Sequence, residues 1–131
     1  MAKKNVLSIG IDPKLIRHPP GWDANKVQTA LDDANKRLTE LGYEVQGCLV
    51  DLGETAESVV SNTLSREKFD CIMVGAGVRV LSQNTILFEK IMNTIHQKAP
   101  PSSKICFNIN PADTVEAVIR WVNSDSQKAI H

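Results

Sequence analysis

The sequence predicts an α/β protein: a three-layer α/β/α sandwich around a four-stranded parallel sheet of order 2-1-3-4. Three observations carry that expectation. Short β-branched, apolar runs alternate strictly with longer segments whose apolar residues recur every three or four positions. Such alternation implies a parallel sheet with helical crossovers. The third apolar run is nearly continuous, as in a strand covered on both faces. The longest loops, rich in proline or glycine, follow the first and third runs.

The elements follow in order. Asn5–Ile11 (NVLSIGI) reads as a first, central strand. Residues 12–23 hold three prolines and a glycine and so read as a long loop. Asp23 is placed to cap a helix whose stripe is Val27, Leu31, Ala34, Leu38 and Leu41, stopped by Gly42. Tyr43–Asp51 is the second strand. Ala56, Val59, Val60, Thr63 and Leu64 mark a second helix over about 54–67. Phe69–Gly75 is the third strand, followed by a glycine-bearing loop over 75–83. Asn84 is expected to cap a third helix with Leu87, Phe88, Ile91, Met92 and Ile95 on its buried stripe. Lys104–Ile109 is the fourth strand. Asn110, Pro111 and Asp113 then supply N-cap, N1 and N3 of a fourth helix reaching about 123. Helices one and four are expected on one face and two and three on the other. Residues 1–123 form the expected single domain and Ser124–His131 a polar tail.

Composition narrows the class. The 131 residues carry 15 Lys+Arg against 15 Asp+Glu, a formal net charge of zero. Residues 1–65 hold seven basic and nine acidic side chains, and residues 66–131 hold eight and six. No basic excess exists to neutralise many phosphates, so nucleic acid is not the expected partner. With 42% hydrophobic residues the chain exceeds what a disordered segment carries. No secretory leader and no membrane span are legible. Cys48, Cys71 and Cys106 make no Cys-x-x-Cys pair and fall inside strands, as small core residues of a reducing compartment would. A cytoplasmic location is therefore expected.

The layout resembles flavodoxin-like, Rossmann-like sheets, one strand short. The residues that would bring those families' ligands are missing. Gly75-Ala-Gly77-Val-Arg-Val80 begins like a dinucleotide fingerprint but has Val80 at the third glycine and follows the wrong strand. No Gly/Ser/Thr-rich phosphate loop follows the first strand, so FMN is not implied. Receiver domains carry a pair of acids after the first strand and a phospho-accepting Asp after the third. Here Asp12 stands alone, and Gly75–Gly77 occupies the acceptor position. The cofactor is left unknown, and no metal ligand set is legible.

The site is expected where strand order reverses, beyond the carboxyl ends of strands one and three. Loops 12–23 and 75–83 meet there. Asp12 and His18 are the acid–base candidates of an enzyme without a redox cofactor. Lys14, Arg17 and Arg79 favour a polar, anionic small molecule, with Gly75, Ala76 and Gly77 admitting its close approach. Asp51 and Asn110 stand at the same rim, each also a helix cap. The alternative is a receiver-like regulatory or interaction module without phosphorelay chemistry, acting through a face that includes Trp121. Pairing of the fourth strand, or of two helices, with a second copy would make a homodimer.

Overall fold

Alternating side chains divide the sheet into two faces, and each face finds its own helices. The computed structural model describes residues 3–15 and 23–123. In it β1 (Asn5–Ile11), β2 (Glu44–Val50), β3 (Cys71–Val74) and β4 (Lys104–Phe107) form one parallel sheet of order β2-β1-β3-β4. This is a flavodoxin-like arrangement with four strands.

Leu7, Ile9, Ile11, Cys48, Val50, Ile72 and Val74 pack against α2 (Ala56–Arg66) and α4 (Thr85–Lys98). Val6, Cys71, Met73 and Cys106 pack on the opposite face with Leu38 of α1 (Ala24–Glu40) and with Val115 and Val118 of α5 (Thr114–Ile119). The helices thus divide between the faces as expected. β3 is buried at all four positions because helices cover both its sides.

Local chemistry sets the boundaries. Asp23 caps α1 by accepting from the Asn25 backbone N–H. Gly42 ends the same helix at φ 100°, a left-handed conformation that glycine adopts without Cβ strain. Asn110 and Asp113 form a reciprocal capping box. It opens a 3-10 turn, Pro111–Asp113, before α5 begins at Thr114.

The structure departs from the sequence reading in several places: β2 and β3 are shorter than expected, and α5 ends at Ile119 rather than near 123. Loop 75–83 contains a one-turn helix, α3 (Ala76–Arg79). β4 stops at Phe107 because the Asn108 side chain turns inward to bond Ala76 and Thr114. Asn84 stands at the N-cap of α4 but makes no capping bond; its amide donates to the Gly77 carbonyl instead, 2.9 Å away. The expected polar tail, residues 124–131, lies outside the described residues, as do the site candidates Arg17 and His18. No helix among the described residues is long and apolar enough to cross a membrane.

Candidate functional site

On the face that α1 and α5 cover, the side-chain layer is full at the amino end of the strands. Val6, Val45, Cys71, Leu38 and Tyr43 fill it. Toward the carboxyl end the inward positions become Ser8 and Gly10 on β1 and Gly47 on β2. Register brings them together: Ser8 pairs with Gly47 on one side and Met73 on the other, and Gly10 pairs with Leu49. Gly75 stands beside Gly10 and donates its N–H to the Ile9 carbonyl at 2.8 Å. A Cβ on Gly75 would lie 3.1 Å from that carbonyl, tighter than ordinary contact, so a larger residue there would have to push the two segments slightly apart.

The missing side chains leave a groove of about 270 Å³ between the sheet and α1. Ser8, Gly10, Gly47, Gly75, Leu49 and Met73 form its floor and ends. Gln28, Leu31, Asp32 and Asn35 of α1 form its wall. Steps of four and three place the three polar residues on one helical face. The helix grips the sheet at its carboxyl half, where Ala34 and Leu38 are buried, whereas Val27 and Leu31 are only half-buried. The groove lies under that looser amino half.

Its polar groups are mostly unclaimed. Gln28 Nε2 donates to Asp32 Oδ1 at 3.0 Å and steadies the carboxylate. Among the described residues, Asp32 Oδ2, the Ser8 hydroxyl and the Asn35 side-chain amide make no hydrogen bond. A Cβ on Gly47 would lie 3.8 Å from Asn35 Nδ2, so that amide faces the floor directly. Among the described residues, no basic side chain lines the groove. A larger depression, about 500 Å³, opens at the opposite end of the sheet among Leu64–Lys68 and Lys98–Pro100. It lies against the carboxyl ends of α2 and α4, away from the switch point.

The expected site residues occupy varied positions. Asp12 is half-buried at the end of β1, where its Oδ1 accepts from the Lys14 N–H at 3.0 Å. Lys14 is exposed on the 3-10 turn Pro13–Leu15. Asp51 caps α2 from a distance, accepting from the Gly53 and Thr55 N–H groups and the Thr55 hydroxyl. These bonds, that of the Thr55 side chain foremost, hold its carboxyl below the usual range. Asn110 caps the turn before α5, and Ala76 donates its N–H to Asn108 Oδ1 at 2.8 Å.

Arg79 turns toward β4. Its Nη2 donates to the Asn108 carbonyl at 2.8 Å, and its guanidinium lies 5.4 Å from the Phe107 ring centroid. Gly77 lends its carbonyl to Asn84. Of the expected ligand contacts, Gly75 lines the groove, and the others described stand around the rim or hold the loops. Ser8, Gly10, Gly47, Gln28, Asp32 and Asn35 are absent from the expected set. Their signal in sequence is small: Ser8-Ile-Gly10 puts two small residues on one strand face, and Gln28, Asp32 and Asn35 flank the apolar stripe of α1.

The thiols are core groups. Cys48, Cys71 and Cys106 are free and buried, with Cys71 Sγ 3.5 Å from Cys106 Sγ. That contact and burial push the Cys71 thiol up, and burial pushes Cys48 up, which keeps both unreactive. Among the described residues, no three or more His, Cys, Asp or Glu side chains are grouped to hold a metal ion. No family model matches the chain, nor does any curated protein or solved structure.

Proposed function

We propose that the protein binds a small polar molecule in the groove between α1 and the carboxyl ends of β1, β2 and β3. The observation that carries this reading is a preformed groove of about 270 Å³ at the strand-order switch, with an open glycine floor and unclaimed polar groups on one wall. Ligand sites combine concavity, apolar walls and a few convergent polar groups, and this volume falls just below their usual range of about 300–1,000 Å³, which suits a small ligand. Among the described residues lining the groove the charged side chain is Asp32, which favours a ligand that presents N–H or O–H donors or a positive charge. An anionic group would have to meet Lys14, on the turn that contacts α1, or Arg17. An enzymatic form of this reading keeps Asp12 and His18 as its acid–base pair. Three buried thiols fit a reducing compartment such as the cytoplasm.

Backbone amide NMR during titration with a library of small polar fragments tests the reading. Shifts concentrated at Gly10, Gly47, Gly75 and the Gln28–Asn35 segment support it. Shifts confined elsewhere, or none at millimolar fragment, overturn it.

A second reading, an interaction module, draws on two exposed apolar side chains. Ile109 beyond β4 is 75% exposed and Trp121 beyond α5 is 57% exposed. A homodimer joined along the short edge strand β4 belongs to the same reading. Sedimentation of wild type and Trp121→Ala separates the cases: a dimer lost on substitution favours it, and monomers at high micromolar concentration count against it.

A further inference from the structure

We infer that β2 is a docking edge for a second copy of this chain, the two β2 strands pairing antiparallel about a two-fold axis at Gly47. This stands apart from the groove reading and places the contact on the sheet edge opposite β4.

The backbone gives the first argument. The Glu44 N–H bonds the Lys4 carbonyl, and the Val50 carbonyl accepts from the Asp12 N–H. Glu44, Gln46, Cys48 and Val50 therefore direct their backbone groups toward β1. The N–H and C=O groups of Val45, Gly47 and Leu49 point out from the sheet, and among the described residues none has a partner. Proteins ordinarily blunt such an edge with proline, lysine, a bulge or a short strand. β2 has none of these: its seven residues keep unbroken register with β1, and its one charge, Glu44, stands at the first position. β4 is better guarded. It has four residues, begins with Lys104, and its Phe107 carbonyl accepts from Arg120 Nη2 at 3.0 Å.

Self-complementarity gives the second. With Gly47 opposite its own copy, Val45 of each strand opposes Leu49 of the other. All three outward residues then fall in hydrogen-bonded pairs, which exchange two bonds each. Every outward group of both β2 strands is satisfied. A slide of two residues either way leaves Val45 or Leu49 without a partner within β2. A slide of one sets outward groups against residues whose backbone faces β1. A two-fold axis requires the same patch on both copies to fit itself, and this register does so.

The side chains agree with it. Val45, Gly47 and Leu49 share the α1 face of the sheet. Leu49 is 45% exposed and Val45 half-buried, and pairing covers each with the other. Glycine inside a strand suits a place where another backbone approaches closely. Each Glu44 opposes Val50 of the second copy, so the two carboxylates stand at opposite ends of the contact. α1 and α2 flank β2 on its two faces. A seven-residue strand is about 23 Å long and a helix about 10 Å across, which makes the edge about 25 Å deep. The contact then covers about 1,100 Å² over both copies, enough to clear the roughly 1,000 Å² of a biological interface.

Sedimentation of the whole chain is expected to give a dimer at high micromolar concentration. Leu49→Lys sets a charge against Val45 of the second copy and is expected to raise the dimer dissociation constant at least tenfold, with circular dichroism near wild type. Gly47→Cys is the direct probe. Opposed residues of a hydrogen-bonded pair stand about 5.5 Å apart at Cα, within disulfide reach. A Cβ at Gly47 has Asn35 Nδ2, at 3.8 Å, as its nearest neighbour, and the native thiols are buried. Diamide is therefore expected to link Gly47→Cys into a covalent dimer that wild type does not form. A monomer at high micromolar concentration, a dimer that Leu49→Lys leaves as tight as before, or no cross-link at Gly47→Cys overturns the inference. A dimer dissociated by Trp121→Ala also overturns it and favours the contact along β4.

Discussion

Arg79 shows how a rim residue can look like a ligand contact in sequence and be a structural one in space. Its guanidinium joins α3 to β4 through the Asn108 carbonyl and the Phe107 ring. A cation–π contact contributes about 0.5–2 kcal/mol and a charge-assisted hydrogen bond about 1.5–3 kcal/mol before desolvation is offset. Arg79→Ala is expected to destabilise the protein by about 2 kcal/mol in urea denaturation. Fragment binding in the groove should be unchanged by it. Asp51 is a second case. Its carboxyl is held below the ordinary value near 3.9, so the unfolded chain binds the proton more tightly than the folded one. Its contribution is fully present above about pH 4 and fades as pH falls through the folded value. Asp51→Ala is therefore expected to melt earlier at pH 7, with the gap to wild type closing below about pH 4. Melting curves from pH 7 to pH 2.5 check both the sign and the window.

At the scale of elements, α1 serves two purposes at its two ends. Its carboxyl half anchors it: Leu38 is fully buried, and Tyr43 just beyond reaches across to donate to the Val122 carbonyl. Leu38→Ala is expected to cost about 2–5 kcal/mol by leaving a cavity in a packed layer. Tyr43→Phe is expected to cost about 1 kcal/mol and to speed amide exchange beyond α5, where the Val122 carbonyl loses its partner. The amino half of α1, by contrast, stands over the glycines and leaves room. Helix positions and their caps were legible because a three-four apolar spacing, Asp23, Gly42, Asn110 and Asp113 are local signals. The one-turn helix α3 was not, since four residues contain no full apolar stripe. Asn84 looked like a cap in sequence because its competing partner, the Gly77 carbonyl, is brought near by that same turn.

Across the whole molecule, topology was readable and contact geometry was not. Alternation of strands and helices led to a sheet of order 2-1-3-4 with the helices correctly divided, because buried strands and amphipathic helices leave few ways to cover two faces. The same topology pointed to the carboxyl ends of β1 and β3. The groove itself depends on Ser8 meeting Gly47 and Met73, residues 39 and 65 positions away in the chain. No local pattern encodes that register, so the floor could not be assembled from sequence. Gly10 offers the most direct measurement. A Cβ there meets no atom within 4 Å, and its backbone is not among the positive-φ glycines. Gly10→Leu is therefore expected to fill the slot, keep a melting temperature near that of wild type, and abolish the fragment-induced shifts at Gly47 and Gly75. Undiminished binding by the folded Gly10→Leu protein would contradict the groove as the ligand site.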